Sequence, residues 1–250
     1  MSGCVLAAAG AWEHACAKRG VGWDMRVIAV VCQKGGTGKT TIATELAVLA
    51  ANEGLATVVM DIDPQASATI WADDRNGEPP QVVPAQAPRL SVMLAAAEKQ
   101  GAEVVVIDTG PSADSAGLAA ARAADIVLVP AKCTIRDLKA LGPTIRSIAD
   151  SVPGKRVVIV LSMVPVNGSV TREAIHYLEA ARIEVCPVRL HQRAAYYNGL
   201  GAGRSSVEWE PSGKAAGEAR RLWKWVCAQA GISEQPHART PERAHASARA

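Results

Sequence analysis

The sequence predicts an α/β fold, doubly wound, with a mainly parallel sheet flanked by helices. Three observations lead there. Apolar, β-branched runs recur at 27–32, 56–61, 103–108, 126–130, 156–161 and 183–188. They are near-continuous rather than alternating, which is the pattern of strands buried on both faces of a parallel sheet. Helical stretches fill the intervals, at 40–53, 64–75, 88–100, 113–123, 135–150 and 170–181, so that strand and helix alternate along the chain. A glycine-rich stretch, Gln33 to Thr41, joins the first strand to the first helix. Right-handed crossovers in such a fold place ligands at the carboxyl ends of the strands.

Taken in order, residues 1–24 are expected to form a loosely ordered extension. Val5 to Trp12 is apolar, but no basic segment precedes it, and Glu13 and His14 interrupt it, so it does not read as a signal peptide. Met25, directly before the first strand, is the expected natural start. The first strand is Val27-Ile28-Ala29-Val30-Val31, and Ile42, Leu46, Leu49 and Ala50 space the helix that follows the glycines. Residues 77–89, with Gly77, Pro79, Pro80, Pro84 and Pro88, read as a proline-rich connection. Residues 212–230 read as a final helix with Ala215, Ala219, Leu222, Val226 and Ala230 on one face. After Gly231 the composition shifts to Ala, Arg, His, Pro and Ser, and 232–250 is expected to be a disordered tail. One domain over 25–231 is expected.

Composition narrows the function classes. A chain of 250 residues, 49% hydrophobic and 20% charged, suffices for one large globular domain. A net charge of +3 is too small to indicate nucleic-acid binding, so any such affinity must come from a local patch. The 6 cysteines include no C-x-x-C pair, which favours a reducing cytoplasm and no structural zinc. No apolar run reaches the roughly 18–20 residues of a membrane span.

Three motifs carry chemistry. The first is Lys34-Gly35-Gly36-Thr37-Gly38-Lys39-Thr40-Thr41. Its glycines let consecutive N–H groups turn inward on phosphate oxygens, and the helix start adds unpaired N–H groups and a positive dipole end. Lys39 would reach the β/γ-phosphates of a nucleotide, and Thr40 would ligate Mg²⁺. The usual pattern G-x-x-x-x-G-K-[ST] would need Gly at position 33; here Gln33 stands there, followed by Lys34 at the loop mouth. The second motif is Asp61-Ile62-Asp63-Pro64-Gln65 at a strand end, where side chains two apart share a face and a carboxylate can orient an attacking water. The third is Val104-Val105-Val106-Ile107-Asp108-Thr109-Gly110-Pro111. An apolar run ending in Asp is a Walker B pattern, with Asp108 at the Mg²⁺ through a water. Gly110 is a candidate to place its N–H on the γ-phosphate.

The form K-G-G-x-G-K-T-T, with the D-x-D-P-Q box and the Walker B run in that order, resembles the deviant Walker A ATPases of the ParA/MinD type. The resemblance spans roughly residues 26–230 and is nearest to small ParA-like partition proteins without an N-terminal DNA-binding domain. Arg189-Leu190-His191-Gln192-Arg193-Ala194-Ala195-Tyr196, Gly199 and Ser212 to Glu218 add to it. It implies a P-loop NTPase fold and a Mg²⁺-dependent ATP hydrolase of weak intrinsic activity. It implies a homodimer formed with ATP, non-specific DNA as the track and a ParB/ParG-like centromere-binding adaptor. The setting would be the cytoplasm, on the nucleoid. Lys34 would cross the dimer interface to the partner's phosphates, Asp63 would position the water, and Asp61 would support the Mg²⁺ shell. Two departures stand out. The family usually has D-T-P-P or D-G-x-G where this chain has D-T-G-P. Larger members often place an Asn near the adenine where this chain has Leu161-Ser162-Met163, so Pro187 and Arg189 are the alternative adenine contacts.

Basic residues gather late, at Arg189, Arg193, Arg204, Lys214, Arg220, Arg221 and Lys224. Arg193, Arg220, Arg221 and Lys224 are the candidate DNA contacts; the other reading is a solvated face of a closing helix. Competing functions are a MinD-like ATPase acting at a membrane and a metabolic enzyme on the same scaffold. The first needs large apolar residues in a C-terminal amphipathic helix, and Glu234–Ala250 has no Leu, Ile, Phe or Trp. An iron-protein relative would need a cysteine in 108–117, which has none. A ligase of the dethiobiotin-synthetase kind would not need Lys34 or the D-P-Q box.

Overall fold

A computed structural model of the chain describes residues 24–111, 115–166 and 169–233. The expected extension and tail therefore lie almost wholly outside the described residues. The six strands are β1 (Arg26–Val30), β2 (Thr57–Asp61), β3 (Gln81–Pro84), β4 (Val104–Asp108), β5 (Ile126–Ala131) and β6 (Arg156–Leu161). They form one sheet in the order β3-β2-β4-β1-β5-β6, and every pair is parallel. The helices are α1 (Lys39–Asn52), α2 (Ser67–Asp73), α3 (Leu90–Lys99), α4 (Ser115–Ala123), α5 (Ile135–Ser151), α6 (Val170–Ala180), α7 (Ala194–Leu200), α8 (Ser206–Trp209) and α9 (Lys214–Ala230).

Alternate residues of each strand serve opposite faces. Ile28, Val30, Val104, Val106, Ile126 and Leu128 pack with α1, Trp71, Tyr196 and α9. Val27, Ala29, Val105, Ile107, Val127 and Val129 pack with Leu90, Leu94, Leu138 and Leu178. Both faces are covered, so the strands have no polar side and read as continuous apolar runs. The chain leaves β1 toward β2 on one side and returns across it from β4 to β5, so β1 marks the point where the winding reverses.

Four elements differ from expectation: β3, the run 183–188, and the short helices α7 and α8. The proline-rich connection contains β3, an edge strand paired only with β2. Pro79 and Pro80 precede it and Pro84 ends it, positions where a missing N–H costs an edge little. The run 183–188 is not a strand. It follows the edge of β6 intermittently: Ile159 N–H donates to Glu184 and Cys186 N–H to Ile159. Pro187 has no N–H, and the N–H of Val188 turns to the Cys186 sulfur, so pairing lapses until Leu190 donates to Leu161. The short helices α7 and α8 carry too few turns to print a period. The final helix ends as its sequence implies, with Gly231 at φ 68, a left-handed cap.

Candidate nucleotide-binding site

The three motifs meet because β2, β4 and β1 are neighbours in register. Asp61 lies opposite Asp108, and Asp108 opposite Val30, so both carboxylates and the glycine loop share one carboxyl edge. Gly36 and Gly38 hold φ of 65 and 86, which side chains adopt only with strain. Gly38 is also the N-cap of α1, whose first turn carries no acidic residue to offset its dipole. The Thr37 hydroxyl donates to Lys34 O at 3.3 Å, and Thr37 O accepts from the Ser162 hydroxyl at 2.7 Å, tying the loop to the end of β6. Lys39 is buried, and its ammonium donates back to Lys34 O at 3.4 Å.

The Thr40 hydroxyl donates to Asp108 Oδ2 at 2.7 Å. Asp108 is 0% exposed, and its Oδ1 has no hydrogen-bond partner among the described residues. Burial pushes its carboxyl up to about 7; Asp61 and Asp63 add to that, while the Thr40 hydroxyl and Lys39 oppose it. An orphaned, buried carboxylate oxygen beside a threonine hydroxyl is a fitting donor pair for a divalent cation, whose charge would offset the desolvation.

Asp61 is turned into its own segment. Its Oδ2 accepts from the N–H and the hydroxyl of Thr69, both at 2.8 Å, and its Oδ1 accepts from Asp63 N–H at 3.1 Å. Asp63 is half-buried, and its Oδ1 accepts from Gln65 N–H at 2.9 Å. A Cβ on Gly110 would stand 3.0 Å from Asp63 Oδ1 and 3.1 Å from Pro64 Cδ, so the close approach of the D-P-Q turn to the end of β4 depends on glycine there. Lys34 is ion-paired with Asp137 at the start of α5. The hydrogen bond from Lys34 holds the Asp137 carboxyl below the usual carboxylate range, helped by the Thr134 hydroxyl at 2.7 Å.

A pocket opens beside the loop, lined by Gly38, Thr41, Met163, Leu190, His191 and Tyr197 among others. Pro187 and Arg189, the residues taken from sequence for adenine contact, are exposed and do not line it; Leu190 and His191 do. Arg193 also lines this pocket rather than joining the outer basic row. Its Nε and Nη2 donate to Glu218 Oε1 at 2.9 and 2.6 Å, and His191 Nδ1 meets the same oxygen at 2.8 Å. Arg220, Arg221 and Lys224 are exposed on α9, with Arg220 Nη1 donating to Pro211 O at 2.8 Å. Sequence reading missed Ser162, Thr69, Asp137 and Glu218 as supports. Ser162 and Glu218 stood in stretches that the sequence singled out, though without this role; Thr69 and Asp137 carried no signal.

Comparison with known proteins bears on this arrangement. The family described as "CobQ/CobB/MinD/ParA nucleotide binding domain" matches residues 28–82. "Maintenance of carboxysome distribution protein A" of Gloeobacter kilaueensis is 34% identical over 212 residues, 80% of this chain and 92% of that protein. "Chromosome partitioning protein ParA" of Myxococcus xanthus is 30% identical over 56% of this chain and 63% of that protein. Among solved structures, an ATP complex of a Cyanothece McdA variant superposes with TM-score 0.68 at 16% identity, covering 86% of this chain and 100% of that one; at that identity it speaks for the fold alone. The P-loop, the D-x-D-P-Q turn and Asp108 thus stand on a scaffold shared along nearly the whole length of a relative, and the chain belongs to the ParA-type partition family of ParA/MinD ATPases.

Proposed function

We propose that this chain is an ATP-dependent dimerising switch that moves cargo over non-specific DNA. The observation that carries the reading is the convergence of Lys39, the Thr40–Asp108 pair and the D-P-Q turn on one sheet edge. Lys39 and the N–H groups of residues 35–41 bind the triphosphate. Thr40 and Asp108 would hold Mg²⁺, and that ion would supply positive charge to the phosphate oxygens. Asp63 orients the attacking water, and Gly110 keeps the space in which it does so. Lys34 leaves Asp137 to meet the nucleotide of a second copy. The pocket of Met163, Leu190 and His191 takes the base and ribose. An adaptor of the ParB/ParG kind stimulates hydrolysis and ends the cycle, on the nucleoid in the cytoplasm. Among the described residues no helix is long and apolar enough to cross a membrane.

Arg220, Arg221 and Lys224 make the DNA contact on this reading, through phosphate neutralisation. A second reading concerns the cargo only. The name of the 34% identical relative concerns carboxysome distribution, so a protein body is the alternative to a plasmid or chromosome. The test is retention on random-sequence DNA with ATP, with ADP, and on liposomes in place of DNA. ATP-dependent, salt-sensitive retention on DNA alone is the expected result. The double variant Arg220→Glu, Arg221→Glu should lose it while ATP binding stays unchanged. Flat salt dependence, or full retention in that variant, removes α9 from the DNA contact, and retention on liposomes alone replaces DNA with a membrane.

A further inference from the structure

Helix α2 begins two residues after Gln65, and its beginning is unusual. The N-cap is Ala66, at φ 51, with no side chain able to accept a hydrogen bond. The unpaired N–H groups of a helix start normally find a Ser, Thr, Asp or Asn at that position. Here the acceptor comes from the strand: Asp61 Oδ2 takes the backbone N–H of Thr69, the third residue of the helix. The same oxygen takes the Thr69 hydroxyl, and the other oxygen takes Asp63 N–H. Asp61 is 3% exposed, so this carboxylate is buried and satisfied by three donors of its own segment. The turn between is closed by Ala66 N–H to Asp63 O at 2.8 Å and Gln65 N–H to Asp63 Oδ1 at 2.9 Å. Asp63 therefore sits on a loop whose two ends, strand and helix, are fastened to one carboxylate.

We infer that Thr69, acting through Asp61, is a positioning residue for hydrolysis: it fixes the backbone of Asp63, and so the reach of the water-orienting carboxylate. The inference rests on the proposed role of Asp63. It gives Asp61 a different task from a place in the Mg²⁺ shell. Two of its three bonds are made to Thr69, and the third holds the residue that faces the reaction. The turn also lies close against the end of β4, where a Cβ on Gly110 would stand 3.0 Å from Asp63 Oδ1. Displacement of a reacting group by about 1 Å costs on the order of 10²-fold in rate without touching ground-state binding.

The test compares Thr69→Val, Thr69→Ala, Thr69→Ser and Asp63→Ala, with Mg·ATP affinity, kcat, KM and thermal melting measured for each. Thr69→Val keeps the shape and the backbone N–H and removes the hydroxyl. It should bind ATP within about twofold of wild type and lose about tenfold or more in kcat at unchanged KM. Thr69→Ala should show the same split, which covers the case in which valine disturbs the fold. Thr69→Ser should restore kcat to within about twofold. In the Asp63→Ala background, Thr69→Val should cost nothing further, since both act through one carboxylate. Wild-type kcat in Thr69→Val and Thr69→Ala, beside an inactive Asp63→Ala, overturns this inference and leaves the Asp63 reading intact. A parallel fall of ATP affinity and kcat also overturns it, because Thr69 then serves binding or the fold. Normal turnover in Asp63→Ala overturns the reading beneath it and this inference with it.

Discussion

On the proposed reading, Lys39 and Asp63 act on the same phosphates at different stages. Lys39 is buried, and among the described residues its ammonium donates to Lys34 O at 3.4 Å, a weak contact, which on the proposed reading leaves its charge to a ligand. Lys39→Ala should leave the melting temperature nearly unchanged and weaken ATP binding by about tenfold or more, read with a fluorescent ATP analogue; wild-type affinity in a folded variant would remove Lys39 from the phosphates. Asp63 stands off the glycine loop, on the turn after β2. Asp63→Ala should bind ATP normally and hydrolyse it about 10²-fold or more slowly, read by phosphate release. Turnover within twofold of wild type would move the water-orienting role elsewhere. That these residues gather at one sheet edge was legible in the sequence, because each lies inside a short motif at a strand end. Thr69 and Asp137 were not legible. Their partners lie 8 and 103 positions away, outside the helices that carry them, and no short motif joins each pair.

At the level of elements, α1 is tied to more than the nucleotide site. Glu45, on the same helix as Lys39, is 2% exposed and receives both the N–H and the hydroxyl of Ser206 at the start of α8. Burial pushes its carboxyl up to about 7 from 4.5, although the Ser206 bonds pull the other way. A folded-state value above the unfolded one means that this group's contribution is complete below about pH 4.5. It is then lost as pH rises to about 7 and is constant beyond. Glu45→Gln removes the titration while keeping an acceptor for Ser206. Its stability relative to wild type should therefore improve between pH 4.5 and pH 8, by up to about 3 kcal/mol, read from urea midpoints at both ends. A gap that does not change with pH would mean that Glu45 titrates alike folded and unfolded. Nothing in the sequence announced this joint, since α7 and α8 are too short to show a period and Glu45 looks like an ordinary helix-surface residue. Composition misled in the other direction at two edges. Prolines hid β3, which tolerates them because one of its sides is unpaired, and an apolar run suggested a strand at 183–188, where Pro187 breaks the pairing with β6.

For the whole molecule, alternation of strand and helix foretold a parallel sheet but not the order β3-β2-β4-β1-β5-β6, which depends on long-range pairing. That order sets Asp61 and Asp108 side by side and leaves Lys34 at the loop mouth, where its partner within the subunit is Asp137. Lys34 is about half exposed, so this ion pair is partly screened and opens at small cost. Phosphoryl transfer builds negative charge that switch NTPases often meet with an arginine finger, worth about 10³–10⁵ in rate, and none of the three nucleotide motifs contains an arginine. On the proposed reading, Lys34 supplies that charge to a second copy. Lys34→Ala should then keep monomeric ATP binding and lose ATP-driven dimerisation and stimulated hydrolysis. Mixing decides whether the lysine acts across the interface. A Lys34→Ala subunit retains Lys39, and a Lys39→Ala subunit retains Lys34, so their heterodimer contains one site with Lys39 from its own chain and Lys34 from the other. Partial recovery of hydrolysis in the mixture, with neither variant active alone, is the expected outcome. If each variant behaves alike alone and mixed, Lys34 works inside its own subunit, and the ATP-bridged dimer is not the active species.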